Sequence, residues 1–103
     1  MSVLLEFAMF PTDKGESVKE YVSKIIKMID ESGVSYQLTP MGTIIEVGQI
    51  DEALEIVKKA YEVLEPDCNR VYSSLKFDIR KSGDDRMRTK IESVESIIGE
   101  VRK

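Results

Sequence analysis

The stretch at residues 34–47, VSYQLTPMGTIIEV, contains two short β-rich runs on either side of Pro40-Met41-Gly42. A short turn between two such runs is typical of antiparallel strands joined in a hairpin. We therefore predict strands at residues 34–39 and 43–47. The remaining elements are placed by working outward from this hairpin in both directions.

A helical pattern lies on each side of the hairpin. The pattern before it begins at Glu16 and ends at Gly33, which is well placed to cap a helix C-terminus. Its apolar residues recur at helical spacing: Val18, Val22, Ile25, Ile26 and Ile29. After the hairpin, Asp51 is a candidate N-cap and Pro66 marks the end of a second helix. The apolar stripe predicted for this helix consists of Leu54, Val57, Tyr61 and Leu64.

Two further strands and a last helix complete the pattern. Residues 2–10 are rich in large apolar side chains and stop at a turn-forming cluster that begins with Pro11. Residues 70–80 alternate strictly, which predicts a strand with one buried face. From Met87 onward a final helix carries Ile91, Val94, Ile98 and Val101 on one side. The order is β-α-β-β-α-β plus a C-terminal helix, so residues 1–103 are predicted to form one ferredoxin-like α+β domain of the split βαβ type.

In this topology both crossover helices cover the same face of the four-stranded sheet. The opposite face is left open, yet the first strand carries apolar side chains on both sides. We therefore expect the open face to be covered by the final helix, by another subunit, or by both. If Glu6 and Glu46 point to this face of neighbouring strands, Tyr72, Ser74 and Lys76 of the last strand lie close to them.

Composition excludes several classes of function. The net charge of −4 argues against nucleic acid and anionic membranes as partners. The chain has no histidine and no glycine-rich phosphate loop, so we expect no catalytic triad, no metal site, no cofactor and no enzymatic activity. Cys68 is the only cysteine, no apolar run is long enough to span a bilayer, and the N-terminal segment reads as a strand. A cytoplasmic location is expected.

The segment Pro40-Met41-Gly42-Thr43, followed by Glu46, resembles the thiamine-binding, YkoF-like family of small ferredoxin-like proteins. The resemblance covers nearly the whole chain, and its most specific part is Met-Gly-Thr-x-x-Glu. It implies a homotetramer built as a dimer of dimers through the sheets. For some members it also implies binding of thiamine or of its hydroxymethylpyrimidine portion. Val47 stands where the family often has a glycine, a departure that affects the fine geometry of a pocket.

The candidate ligand-binding residues combine acceptors, donors and flat apolar surfaces. Carboxylates accept well from an aminopyrimidine or a cationic thiazolium, and aromatic or thioether side chains pack on a flat ring. The candidates are Glu6, Phe10, Met41, Thr43, Glu46, Arg70, Tyr72, Ser74 and Lys76.

Each polar candidate also has a purely structural interpretation. Glu6, Glu46 and Lys76 can instead pair within a subunit interface. Thr43 can be an ordinary strand residue, and Arg70 can form a surface ion pair rather than bind an anion. The predicted function is non-catalytic binding of a small molecule within a homo-oligomer. The alternative is an effector-binding regulatory module that acts through a partner protein.

Overall fold

The computed structural model describes residues 1–102 and confirms the predicted order of elements. The seven elements are β1 (Ser2–Pro11), α1 (Lys19–Ser32), β2 (Ser35–Thr39), β3 (Gly42–Val47), α2 (Ile50–Leu64), β4 (Val71–Arg80) and α3 (Arg86–Ile98). No helix within residues 1–102 has the length and apolar character needed to cross a bilayer.

The four strands form one antiparallel sheet in the order β2-β3-β1-β4, as expected for a ferredoxin-like fold. Leu5 of β1 lies opposite Ile45 of β3 and Phe77 of β4, so these three side chains share one face. Both α1 and α2 pack on that face, which we call the helix face. Glu6 of β1, opposite Ile44 and Lys76, points to the other side, which we call the open face.

The hydrophobic core lies between the helix face and the two crossover helices. Leu5, Ile29, Ile45 and Leu64 are completely buried there. The buried stripe of α2 differs from the predicted one, because only Leu64 of the predicted set belongs to it. The residues that α2 buries are Ala53, Ile56, Ala60 and Leu64. Small alanines let the helix approach the sheet closely, and the larger Leu54 and Tyr61 are left partly exposed.

Three predictions about helix ends have different outcomes. Gly33 does cap α1, with a φ of 80° that a residue with a Cβ adopts only at a cost. The start of α1 is at Lys19 rather than Glu16. Asp51 is not the N-cap of α2, because that position is Gln49 and Asp51 lies in the first turn, where its charge still interacts favourably with the helix dipole.

The prediction that β4 has one buried face is wrong. Leu75, Phe77 and Ile79 do lie together on the helix face, but they are 36%, 37% and 44% exposed. On the sheet, α2 contacts mainly β1 and β3, and α1 contacts mainly β1 and β2, so β4 extends beyond the cover that the helices provide. The alternation correctly identified a strand and its two sides, but one side is only partly covered.

Candidate functional site

The open face is covered at one end only, and α3 is the element that covers it. A groove of about 500 Å³ runs between the sheet and the first turns of α3. This volume falls within the roughly 300–1,000 Å³ typical of small-molecule sites. The residues that line it come from all four strands and from α3: Leu4, Glu6, Gln37, Ile44, Lys76, Phe77, Asp78, Met87, Lys90 and Ile91.

Glu46 holds the N-terminus of α3 against the sheet. Its carboxylate accepts hydrogen bonds from the backbone N–H of Arg86 at 2.8 Å and of Met87 at 3.0 Å, and from the Ser2 hydroxyl at 2.6 Å. The residue before the helix, Asp85, has a φ of 50° and offers no side-chain cap of its own. A carboxylate from a neighbouring strand thus satisfies the free N–H groups and interacts with the helix dipole.

Arg86 is the second anchor of α3, and its side chain is only 6% exposed. The guanidinium donates to the Ser2 carbonyl at 3.0 Å and to the Asp78 carbonyl at 2.6 Å, and it pairs with the Asp78 carboxylate at 3.1 Å. Lys90 donates to the same carboxylate. These contacts tie the first turns of α3 to the ends of β1 and β4.

The pKa values of both anchoring carboxyls are lowered. Partial burial raises the pKa of Glu46, but the Ser2 hydroxyl and the N–H groups of Met87 and Arg86 together stabilise the ionised form more, so the net shift is downward. Hydrogen bonds from Lys90 and then from Arg86 lower the pKa of Asp78. Both groups are therefore ionised at neutral pH, the state that holds α3 in place.

Within the groove, Glu6 is the carboxylate that the contacts anchoring α3 do not engage. Within residues 1–102 its one ion pair, at 3.0 Å, is with Lys76, whose side chain is 81% exposed and therefore easily displaced. The apolar surface around Glu6 comes from Leu4 and Ile44 of the sheet and from Ile91 of α3. An acceptor beside apolar walls suits a flat ring that carries N–H donors or a positive charge.

Of the nine predicted site residues, three lie at or beside this groove. Glu6 and Lys76 face it directly. Glu46 is on the same face, but its carboxylate already accepts the three hydrogen bonds that hold α3. Glu46 also lies near Glu6, as expected. It is directly opposite Leu4, and Glu6 is two residues after Leu4 on the same face of β1.

Three more predicted residues lie along the bare part of the open face. Phe10 and Tyr72 face each other across β1 and β4, with ring centroids 5.9 Å apart and planes tilted by 42°. Ser74 lies between this pair and Lys76 on β4. Phe10 follows Glu6 by four residues, or about 13 Å along a strand at ~3.3 Å per residue, so a small ring held at Glu6 does not reach it.

The remaining three predicted residues are elsewhere. Thr43 is buried on the helix face, opposite Phe7, and lines a second cavity of about 250 Å³ beneath α1. Met41 lies at the rim of that cavity, 87% exposed at the tip of the hairpin. Arg70 immediately precedes β4, and its carbonyl accepts from the Thr12 N–H at 2.9 Å. The structure therefore divides the predicted set among the groove, the bare part of the open face, the second cavity and the position just before β4.

Sequence reasoning missed the residues that build the groove around Glu6. Gln37, Met87, Lys90 and Ile91 line it, and Ser2 and Arg86 fix its wall. The helical spacing of Ile91 was visible in the sequence, but nothing local showed which way α3 turns after residue 85. Among residues 1–102, no group of three or more Cys, Asp or Glu side chains is arranged to hold a metal ion.

Comparison with known proteins gives consistent matches along most of the chain. A model of the family described as thiamine-binding protein matches residues 5–95. A UPF0045 protein of Methanothermobacter thermautotrophicus is 39% identical over 83 residues, which is 80% of this chain and 84% of that protein. The Clostridium perfringens UPF0045 protein is 40% identical over 76 residues, 73% of this chain and 79% of that one.

Two solved structures also match this chain over more than nine-tenths of its length. A hypothetical protein of Methanocaldococcus jannaschii superposes with a TM-score of 0.82 at 33% identity, covering 93% of this chain and 98% of its own. A Thermotoga maritima protein described as a candidate for thiamine biosynthesis or salvage gives a TM-score of 0.78 at 22% identity, covering 91% and 99%. The second likeness supports the fold alone.

Proposed function

Because the chain belongs to the thiamine-binding protein family, we propose that it binds thiamine, or its hydroxymethylpyrimidine portion, in the groove beside Glu6. The family supports a role in small-molecule binding, and the groove is where this chain offers the matching chemistry. The protein acts as a binder and does not transform the ligand.

The accessible carboxylate of Glu6 is the observation that carries this proposal. Among the carboxylates at the groove, Glu46 and Asp78 are held by α3, whereas the only partner of Glu6 in the described part of the chain is the exposed Lys76. A ligand cation or N–H donor can replace that ammonium without leaving a buried charge unpaired. At about 4 Å such a contact is worth roughly 1 kcal/mol in bulk water, and several times more in a partly desolvated groove.

The rest of the groove suits a flat heteroaromatic ring. Ile44 and Leu4 form an apolar floor on the sheet, and Met87 and Ile91 form the facing wall on α3. Gln37, at the rim, carries both an amide donor and an acceptor, which matches the alternating nitrogens and amino group of an aminopyrimidine. Apolar surface thus supplies contact area, and two polar side chains set the orientation of the ring.

Isothermal titration with thiamine and with hydroxymethylpyrimidine tests this proposal. We expect saturable heat with at least one of them, and Glu6→Gln should weaken binding at least about tenfold, equivalent to ~1.4 kcal/mol. The matched control is Glu55→Gln, an exposed carboxylate of α2 on the other side of the sheet, which should bind as the wild type does. Absence of saturable heat with both compounds, or equal affinity for wild type and Glu6→Gln, would contradict the proposal.

Glu46→Gln separates the ligand contact from the scaffold. Since Glu46 holds α3, this change should weaken binding and also lower the stability of the protein. Glu6→Gln should weaken binding while leaving the urea midpoint nearly unchanged. If Glu46→Gln abolished binding without any loss of stability, Glu46 itself would be the ligand contact.

A further inference from the structure

Two lysines line the groove, and they are held very differently. Lys90 donates to the Asp78 carboxylate, which also pairs at 3.1 Å with the buried guanidinium of Arg86. Lys76 has one ion pair among residues 1–102, with Glu6 at 3.0 Å, and its side chain is mostly exposed. Lys90 therefore belongs to the anchor of α3, whereas the ammonium of Lys76 is free to move on its flexible stem.

Lys76 occupies the position that the ligand needs. It lies directly opposite Glu6 across β1 and β4, and its ammonium is the group that contacts the Glu6 carboxylate in the free protein. A ligand that donates to Glu6 has to displace this ammonium. The displaced charge stays at the rim of the groove, because the lysine backbone is fixed in the middle of β4 and its stem has only four carbons.

The other carboxylates described at the groove are already engaged and cannot readily receive the displaced ammonium. Asp78 lies two residues further along β4 on the same face and already holds two cations, Arg86 and Lys90. Glu46 accepts from the first N–H groups of α3. Lys76 therefore turns to solvent unless the ligand itself brings a negative group.

We propose that Lys76 makes the groove selective for a phosphate monoester of the ligand over the unphosphorylated compound. The preference rests on the proposed function and distinguishes between ligands that share one ring. The cation or N–H donor of the ring replaces the ammonium at Glu6, and the phosphate replaces Glu6 as the partner of Lys76. One ion pair within the protein is thus exchanged for two contacts with one ligand.

A phosphate suits this position in charge and in hydrogen bonding. A monoester carries about −1.5 to −2 charges at neutral pH and three strong acceptor oxygens, and hydrogen bonds between an ammonium and a phosphate are among the stronger ones in proteins. Lys90, on the α3 side of the groove, has donors left beyond the one that it gives to Asp78. Asp78 does not bar the ester, because its charge is matched by two cations.

Calorimetric titration with two matched pairs of compounds tests the preference. The pairs are thiamine with thiamine monophosphate, and hydroxymethylpyrimidine with its phosphate ester. In the wild type we expect the ester to bind about tenfold more tightly than its parent. Lys76→Met should change the two affinities in opposite directions. The parent should bind about twofold more tightly, because the competing ammonium is gone, and the ester should lose most of its advantage.

Three controls separate a ligand contact from a general effect of charge or stability. Lys76→Arg keeps the positive charge and should keep the preference for the ester. Lys58→Met removes an exposed lysine of α2, on the other side of the sheet, and should bind both members of a pair as the wild type does. The preference should also shrink with added salt, since Lys76 lies at the solvent-exposed rim.

The wild-type titrations distinguish failure of this preference from failure of the proposed function. If the parent binds in a way that Glu6→Gln weakens, but the ester binds no better than its parent, the preference is overturned and the proposed function stands. A preference that Lys76→Met leaves intact would overturn the role of Lys76 in the same way. Absence of saturable heat with all four compounds would overturn both.

Discussion

Strands β1 and β4 run side by side for ten residues each, and they have very different surroundings. On β1, Val3 and Leu5 are fully buried, and Leu4 on the other face is only 8% exposed. On β4, the residues opposite Val3 and Leu5 are Ile79 and Phe77, both more than a third exposed. The difference shows that the period of a strand identifies its two sides, whereas its place in the sheet decides whether those sides are covered.

Truncation of one leucine on each strand should show the largest difference. Leu5→Ala removes a completely buried side chain and should lower the free energy of unfolding by about 3 kcal/mol, within the 2–5 kcal/mol range for such changes. Leu75→Ala, at a side chain 36% exposed, should lower it by only about 1 kcal/mol. Urea denaturation of both variants measures the difference.

The same pair of variants also distinguishes core packing from association. In the homo-oligomer that the sequence predicts, a subunit contact at the exposed side chains of β4 would make the loss for Leu75→Ala grow with protein concentration, while that for Leu5→Ala should not. Equal losses for the two variants at low protein concentration would show that β4 is as well covered as β1.

A smaller effect is expected at Gly42, where β3 approaches β1 closely. A Cβ built on Gly42 would lie 3.0 Å from the backbone carbonyl oxygen of Phe7, and a strand backbone cannot easily move away. Gly42→Ala should therefore lower the free energy of unfolding by about 2 kcal/mol, as other overpacking changes do. Gly48→Ala is the control, because its Cβ would meet nothing nearer than the Glu52 carboxylate at 3.7 Å. If both alanine variants had the same stability as the wild type, the close approach at Phe7 would be relieved without cost.

The anchor of α3 should give a further, smaller loss. Glu46→Gln removes the charge that faces the N-terminus of α3 and should lower the free energy of unfolding by about 1 kcal/mol, the usual effect of losing a helix cap. Hydrogen exchange at the first turn of α3 should accelerate in parallel. Asp84→Asn, in the exposed loop before α3, is the control and should change neither quantity.

The effect of Glu46→Gln should also depend on pH. The pKa of Glu46 is lowered in the folded protein, so the unfolded chain binds its proton at a higher pH than the folded chain does. The stabilisation is therefore complete above the ordinary carboxyl pKa of about 4.3 and is lost as pH falls through the lower folded pKa. The stability difference between wild type and Glu46→Gln should be full at neutral pH and vanish in acid. A difference that stays the same in acid would show that charge is not what holds α3.

The order of elements and the two sides of β1 and β4 were predictable from the sequence, because alternation, helical periodicity and turn residues are local signals. The topology predicted that Glu6 and Lys76 lie on the same face of the sheet, because residues that are opposite each other on neighbouring strands point to the same side. The capping of α3 by Glu46 was not predictable, because the carboxylate and the N–H groups it accepts from are 40 residues apart in the chain. The rotation of the α2 stripe to Ala53 and Ala60 was missed because small residues give a weak periodic signal.

The site was predictable in part for the same reason. Glu6 and Lys76 were predictable because the alternation of apolar and polar residues on their strands shows which residues share a face. Thr43 was assigned from the resemblance alone, and its place on β3 turns it toward the helix face instead. Gln37 and Lys90 join the groove only because α3 folds back across the sheet, a path set by Arg86 and its buried contacts with Ser2 and Asp78.

The most direct test of the proposed binding site is a ¹H–¹⁵N correlation spectrum of the protein titrated with thiamine. We expect the backbone signals that shift to cluster at Glu6, Gln37, Ile44 and the Lys90-Ile91 turn of α3, with the resonances around Thr43 unchanged. Shifts confined to Met41, Thr43 and the N-terminal half of α1, or no shifts at millimolar thiamine, would contradict the assignment of the groove as the binding site.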